Sequence, residues 1–139
     1  MKLSIIIPVY NEMNTIQEIL KKIEDLHEIK KQIIIVDDGS SDETFNLIQN
    51  YKFKSEHKII KHKVNSGKGA AIKSSVNYIL GDIVIIQDAD LEYDPKDFYK
   101  LYNAFIKNKK TKIIYGSRFL DKKFSTLYNS FGKNLIRIF

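Results

Sequence analysis

The chain has 139 residues, 43% hydrophobic and 29% charged, the balance of one globular domain with a real core and not of a disordered segment. It contains no cysteine, which removes disulfides and thiolate metal sites and is compatible with a reducing cytoplasm. The net charge of +6 is almost entirely lysine, scattered over predicted helices with one cluster at Lys107, Lys109, Lys110 and Lys112, whereas a nucleic-acid binder would show a basic stripe, interleaved aromatics and more arginine than Arg118 and Arg137.

No apolar run is long enough to span a bilayer, and the N-terminus enters a strand with no signal-peptide pattern. Lys2 to Val9 is β-branched and reads as a strand, with Pro8 marking its exit because proline cannot donate to a ladder. Ile16, Ile19, Leu20, Ile23 and Leu26 recur at helical spacing. Ile33 to Val36 is a second apolar strand that ends in Asp37-Asp38-Gly39-Ser40. Ser40 and Glu43 have the spacing of a capping box, and Phe45, Ile48 and Tyr51 would form the inner face of the helix it opens.

Lys58 to Val64 reads as a third, less apolar strand near an edge, followed by the turn Asn65-Ser66-Gly67-Lys68-Gly69. A helix carrying Ala70, Ala71, Ile72, Val76, Ile79 and Leu80 comes next, with Gly81 as its C-cap. Ile83 to Ile86 is a short apolar run that reads as a fully buried parallel strand. It breaks into Gln87-Asp88-Ala89-Asp90-Leu91-Glu92. Were the extended geometry to persist, Asp88 and Asp90 would project to one side with Cα atoms about 6.6 Å apart. Carboxylates that close need a cation between them, and hard oxygen donors suit Mg²⁺ or Mn²⁺ together with substrate phosphates. Asp94-Pro95 opens a helix with Phe98, Leu101, Tyr102, Phe105 and Ile106 on one face. Lys112 to Tyr115 is a fifth strand ending at Gly116-Ser117-Arg118-Phe119, and Leu127 to Phe139 returns to helical spacing.

Strands and helices alternate throughout, which predicts an α/β three-layer sandwich on a mainly parallel sheet. Ligands of such sheets sit beyond the carboxyl ends of the strands. Tyr10 to Glu12, Asp37 and Asp38, Gly67 to Gly69, Asp88 to Glu92 and Gly116 to Arg118 all fall there. Familiar phosphate motifs are excluded. A P-loop needs glycine where His62 stands and Ser or Thr where Gly69 stands, and a dinucleotide fingerprint needs a small residue where Ile72 stands. His27, His57 and His62 lack metal-ligand spacing, and no serine–histidine nucleophile is marked by a motif.

The segments Ser4–Glu12, Ile35–Asp42, Asn65–Ala71, Gln87–Pro95 and Gly116–Phe119 resemble, in order and with natural spacing, the family 2 glycosyltransferases of GT-A fold. Within that family the resemblance is to the dolichyl-phosphate mannose synthases and the bacterial polyprenyl-phosphate sugar transferases. It covers about the first 120 residues and implies a nucleotide-sugar-binding catalytic domain over 1–120, with 121–139 as the start of an acceptor-side region. Such families continue well beyond this length, so the resemblance also implies a C-terminally shortened catalytic half whose acceptor contacts lie elsewhere.

The resemblance implies roles residue by residue. Pro8, Tyr10, Glu12, Val36, Asp38, Lys68, Asp88 and Ala89 would line the nucleotide pocket, with Asp38 accepting a hydrogen bond from the base. Asp90 and Glu92 would ligate Mg²⁺ or Mn²⁺, Glu92 standing where relatives often carry glutamine. Asp88 would contact the sugar or ribose. Arg118 would hold the diphosphate or acceptor phosphate, a bidentate task suited to its planar cation. The implied donor is a GDP- or UDP-sugar and the implied acceptor a polyprenyl phosphate. The implied setting is the cytoplasm, with the lysine cluster and tail helix permitting peripheral membrane association. A nucleotidyltransferase is disfavoured because the first strand lacks a following glycine-rich signature.

Overall fold

A computed structural model describes residues 1–107. The chain divides into two compact units, Met1–Lys96 and Asp97–Phe139, and the first contains the whole described sheet. The element order is β1 (Leu3–Val9), α1 (Ile16–Glu24), β2 (Lys31–Asp37), α2 (Thr44–Asn50), β3 (Glu56–Lys61), α3 (Lys68–Ser75) and β4 (Ile83–Ile86). In the second unit α4 spans Phe98–Lys107. The predicted fifth strand, the tail helix and Arg118 lie outside the described residues.

All pairings are parallel and the sheet order is β3-β2-β1-β4. With right-handed crossovers, β1–α1–β2–α2–β3 winds in one direction and β3–α3–β4 returns across the sheet, so α3 lies on the face opposite α1 and α2. The strand side chains sort accordingly. Ile6, Ile34, Val36 and Ala71 form a buried cluster with Ile60, Ile72, Ile79 and Ile86 packed around it, which is the α3 layer. On the other face the alternating residues Ile5, Ile7, Ile33 and Ile35 have no exposed surface, nor do Ile16, Ile19, Leu20 and Ile23 of α1 or Ile48 of α2. Each such buried aliphatic side chain contributes about 1.5–3 kcal/mol of hydrophobic stabilisation. This is the expected three-layer α/β arrangement.

Pro8 sits inside β1, in register with Val36, and not at its exit. Its ring nitrogen lies on the β4 side, because Ile6, two residues earlier, accepts from Gln87 N on that side at 2.9 Å. The β1–β4 register ends at Ile6–Ile86, where the missing N–H would have been needed next. Pro8 therefore terminates one ladder while the β2 ladder continues, and the chain after Gln87 is released from the sheet. β4 is also less buried than its apolar run predicts. Val84 is 43% exposed, since β4 pairs only with β1 among the described residues.

Other boundaries moved for local reasons. β3 begins at Glu56 and stops at Lys61, and Val64 turns outward, 67% exposed. Its edge position is as expected. The capping box does not form: Ser40 Oγ accepts from Asn11 N at 3.0 Å, while Asp42 Oδ1 accepts from Thr44 N at 3.0 Å at the start of α2. α3 ends early because the Gln32 side chain captures its continuation. Gln32 donates to Tyr78 O at 2.9 Å and accepts from Leu80 N at 3.1 Å, leaving Val76 and Leu80 exposed. Gly81 is not a left-handed C-cap. A Cβ there would lie 2.5 Å from Ser4 N, so glycine is required by close approach to β1. Asp94 caps as predicted, accepting from Lys96 N at 3.0 Å, but over a single 3₁₀ turn, Pro95–Asp97.

Candidate active site

The carboxyl ends of β1, β2 and β4 and the β3–α3 turn meet at one rim of the sheet. The order β3-β2-β1-β4 reverses winding at β1, so the ends of β1 and β4 flank the crevice where such sheets bind ligands.

The β1 and β2 ends are tied to each other. Asn11, at φ 54°, donates its backbone N–H to Ser40 Oγ and accepts from Ser41 N at 2.9 Å through Oδ1. Glu12 N donates to Thr44 Oγ1 at 2.8 Å, and the Glu12 carboxylate accepts from the Thr15 hydroxyl at 2.7 Å. Asp42 Oδ2 accepts from Met13 N at 3.3 Å. Burial opposes ionisation of Asp42, but its hydrogen bonds with Thr44 and Met13 outweigh burial and hold its carboxyl below the ordinary range. This network leaves Tyr10 46% exposed at the rim, a flat face presented to solvent.

At the end of β2 the two aspartates differ from the simple turn pattern. Asp37 has no exposed surface; Oδ1 accepts from Ser40 N at 3.4 Å. Asp38 is 3% exposed and accepts from three groups of the next crossover. His62 Nδ1 lies 2.6 Å from Oδ1, Ser66 N lies 3.0 Å from both oxygens, and Gly67 N lies 2.6 Å from Oδ2. Burial alone would raise this carboxyl. The His62 hydrogen bond, the Ser66 and Gly67 N–H groups and the adjacent imidazole outweigh it, so Asp38 ionises below the ordinary carboxylate range. His62 is itself held by Ser74 Oγ at 2.9 Å from Nε2. The imidazole thus bridges the Asp38 carboxylate and the Ser74 hydroxyl.

Gly39 completes the clasp. Its φ is +75°, and a Cβ there would lie 2.7 Å from the backbone of Val64. Only glycine lets the β2 loop press against the β3–α3 turn this closely.

That turn carries Lys68, the first residue of α3, across to the end of β4, where its ammonium pairs with Asp88 Oδ1 at 2.5 Å. The β4 loop is anchored from inside. Gln87 Nε2 donates to Asp88 O at 2.9 Å and Tyr93 O at 3.1 Å, closing the segment between them into a loop. Leu91 takes φ 64°, and Glu92 N donates to Asp90 Oδ1 at 3.0 Å. Strand alternation thus stops at Ile86, and the extended Asp88-x-Asp90 geometry does not persist. Asp90 and Glu92 are exposed, and Asp88 is partly buried.

Hydrogen bonds tie the segments carrying Glu12, Asp38 and Lys68 to one rim, Lys68 pairs there with Asp88, and Tyr10 stands exposed at the end of β1 beside them. It does not gather a metal-ligand set: no three His, Asp or Glu side chains converge among the described residues. The donor chemistry nonetheless fits a hard divalent ion, since Asp88, Asp90 and Glu92 offer only oxygen and Asp88 already faces a cation. Val36 is fully buried among Ile6, Ile34 and Ala71 in the packed layer beneath the rim, and Ala89 is 3% exposed. Pro8 is likewise buried. Sequence reasoning missed Asn11, Ser40, His62 and Gln87 as organisers. The signal for His62 was its place at the end of β3, on the same rim as the other strand ends.

Comparison with known proteins agrees with this geometry. The family model "Glycosyl transferase family 2" matches residues 4–135. The chain is 35% identical over 121 residues to the dolichol-phosphate mannosyltransferase of Pyrococcus furiosus, covering 86% of this chain and 34% of that protein. The chain therefore spans about a third of that relative's length. It superposes on S. aureus TarS 1–349 in complex with UDP-GlcNAc with TM-score 0.65 and 31% identity, covering 77% of this chain and 31% of that one. It also superposes on glucosyl-3-phosphoglycerate synthase from Mycobacterium tuberculosis in complex with Mn²⁺, UDP and glucosyl-3-phosphoglycerate, with TM-score 0.58 and 27% identity, covering 76% and 39%. The parallel sheet, the rim at its carboxyl edge and the match over almost the whole sequence lead to one conclusion: the chain has the GT-A fold and belongs to glycosyl transferase family 2.

Proposed function

We propose that this chain binds a nucleoside-diphosphate sugar at the β1/β4 crevice and serves an inverting, divalent-metal-dependent transfer of the sugar to a polyprenyl phosphate. The observation that carries the proposal is the cross-tie of strand ends, in which the β3–α3 turn is clasped by Asp38 and delivers Lys68 to Asp88. Tyr10 offers a flat surface for the base or ribose, and Asp38 fixes the wall beside it. Asp90, with Glu92, would hold Mg²⁺ or Mn²⁺, which supplies charge neutralisation at the departing diphosphate. Asp88 orients the sugar or ribose hydroxyls, and Arg118 takes the acceptor or diphosphate oxygens. A polyprenyl phosphate is already an anion, so little base catalysis is needed when it attacks the anomeric carbon. The likeness to the dolichol-phosphate mannosyltransferase supports the lipid acceptor, and the UDP- and Mn²⁺-bearing neighbours support the nucleotide and the metal.

The proposed setting is the cytoplasmic face of a membrane. No helix among the described residues is long and apolar enough to cross one. The test is turnover of UDP- and GDP-sugars with polyprenyl phosphate. The expected product carries an inverted anomeric centre, and its formation is abolished by EDTA and by Asp90→Ala. Retention of configuration, or turnover indifferent to metal, contradicts the proposal. The second reading is donor binding without transfer. It predicts nucleotide binding of the same metal dependence and no product.

A further inference from the structure

We infer that Lys68 is a resident counter-ion for Asp88, released from it when the divalent cation and donor arrive at the adjoining Asp90 and Glu92, and that this exchange of partners makes metal and nucleotide bind together. The inference rests on the donor-binding reading above and adds an order of events to it.

Three observations converge. First, the Lys68 ammonium lies 2.5 Å from Asp88 Oδ1, with side-chain exposures of 42% and 22%. Two groups this accessible exchange partners without unfolding anything around them. Second, the lysine is delivered by a fixed mount. Gly67, immediately before it, donates to Asp38 Oδ2 at 2.6 Å and to Asn65 Oδ1 at 3.1 Å, and its φ of 87° sets the direction in which α3 begins. The backbone is held at the start of α3, and the side chain reaches from that mount to the Asp88 carboxylate. Third, the other carboxylate of the pair is engaged differently. Asp90 Oδ1 accepts from Glu92 N and turns back onto its own loop. Lys68 thus supplies a positive charge to Asp88, and the backbone supplies a hydrogen bond to Asp90.

The consequence follows from charge. A divalent cation arriving alone at Asp90 and Glu92 must settle beside the Lys68 ammonium already paired with Asp88, and the two positive charges oppose its binding. A cation arriving with a diphosphate brings that ammonium an anionic partner. The chemical class that completes the exchange is therefore a nucleoside diphosphate or its sugar ester, with Lys68 moving from the Asp88 carboxylate to diphosphate oxygens. By linkage, nucleotide tightens metal binding by the factor with which metal tightens nucleotide binding.

The experiment is titration of Mn²⁺ followed by electron paramagnetic resonance, with and without saturating UDP, on the native chain, Lys68→Met and Lys68→Arg. Methionine keeps the length and removes the charge at a partly exposed helix start, and circular dichroism checks that α3 persists. Lys68→Met is expected to bind Mn²⁺ alone about fivefold more tightly than the native chain, the scale of one partly exposed ion pair. The UDP-induced gain in Mn²⁺ affinity is expected to shrink in that variant, and Lys68→Arg is expected to behave like the native chain. Equal or weaker Mn²⁺ binding by Lys68→Met, or an unchanged UDP effect, overturns the exchange. UDP and GDP binding by the native chain in Mn²⁺, read in the same series, tests the donor-binding reading separately, so one failure is not mistaken for the other.

Discussion

Asp38 and Asp88 follow the ends of β2 and β4, the two strands that flank β1, yet the chain treats them in opposite ways. Asp38 is 3% exposed and held by His62, Ser66 and Gly67, and its lone pairs are filled by its own chain. Asp88 stands on a loop released from the ladder by Pro8 and meets a single flexible lysine. The same side-chain chemistry becomes a fastening at one place and a ligand-ready group at the other. What separates them is the number of fixed backbone donors: Asp38 meets two N–H groups, and Asp88 faces an ammonium that can leave. The two arrangements are linked, since Asp38 holds the turn from which Lys68 reaches Asp88.

Substitutions on the two sides sharpen this contrast. The largest stability loss is expected at Asp38→Ala, which leaves two backbone N–H groups and an imidazole without their acceptor. A decrease of about 3 kcal/mol in urea unfolding is expected, as when a buried hydrogen-bonded charge is removed. Asp90→Ala, at an exposed position, is expected to change stability by no more than about 0.5 kcal/mol. If the two variants are equally stable, the contrast fails. Gly39→Ala comes next, with an expected loss of about 2 kcal/mol in the same measurement, because the substitution forces a Cβ into the left-handed region and against the Val64 backbone.

The acid limb of the stability curve offers a smaller effect. Asp38 ionises below the ordinary carboxylate range in the folded chain. Its contribution is therefore present above the unfolded value and lost as pH falls through the lower folded value. Thermal unfolding of the native chain is expected to steepen its decline in that acid window, and Asp38→Asn to flatten it. An identical acid limb in the variant would show that the clasp does not depend on the charge of Asp38.

The sequence makes the regular part of this architecture legible and leaves the fastenings hidden. Ile16, Ile19, Leu20 and Ile23 announce α1 through their spacing, and all are fully buried as that spacing requires. The β-branched runs at Ile5 to Ile7 and Ile33 to Val36 announce buried parallel strands for the same reason. What periodicity cannot reveal is where a side chain intercepts a backbone group. Gln32 cuts α3 short, and Ser40 joins Asn11 and not its own helix. Gly81 answers to close packing on Ser4 and not to a helix end. Each outcome depends on a partner between 29 and 77 residues away, from Asn11 and Ser40 to Ser4 and Gly81. The candidate site was legible as a set of strand-end residues, because topology alone sends those to one rim. Which of them would be buried fasteners, like Asp38, was not.

The most direct test of the central claim is calorimetric titration of UDP and GDP into the chain, in Mn²⁺ and in EDTA, with Asp90→Ala in parallel. One of the two nucleotides is expected to bind in Mn²⁺ and to lose at least about tenfold in affinity both in EDTA and in the variant, as befits a lost metal contact. Binding of equal strength in EDTA, or undiminished by Asp90→Ala, would mean that the end of β4 is not where the diphosphate is held.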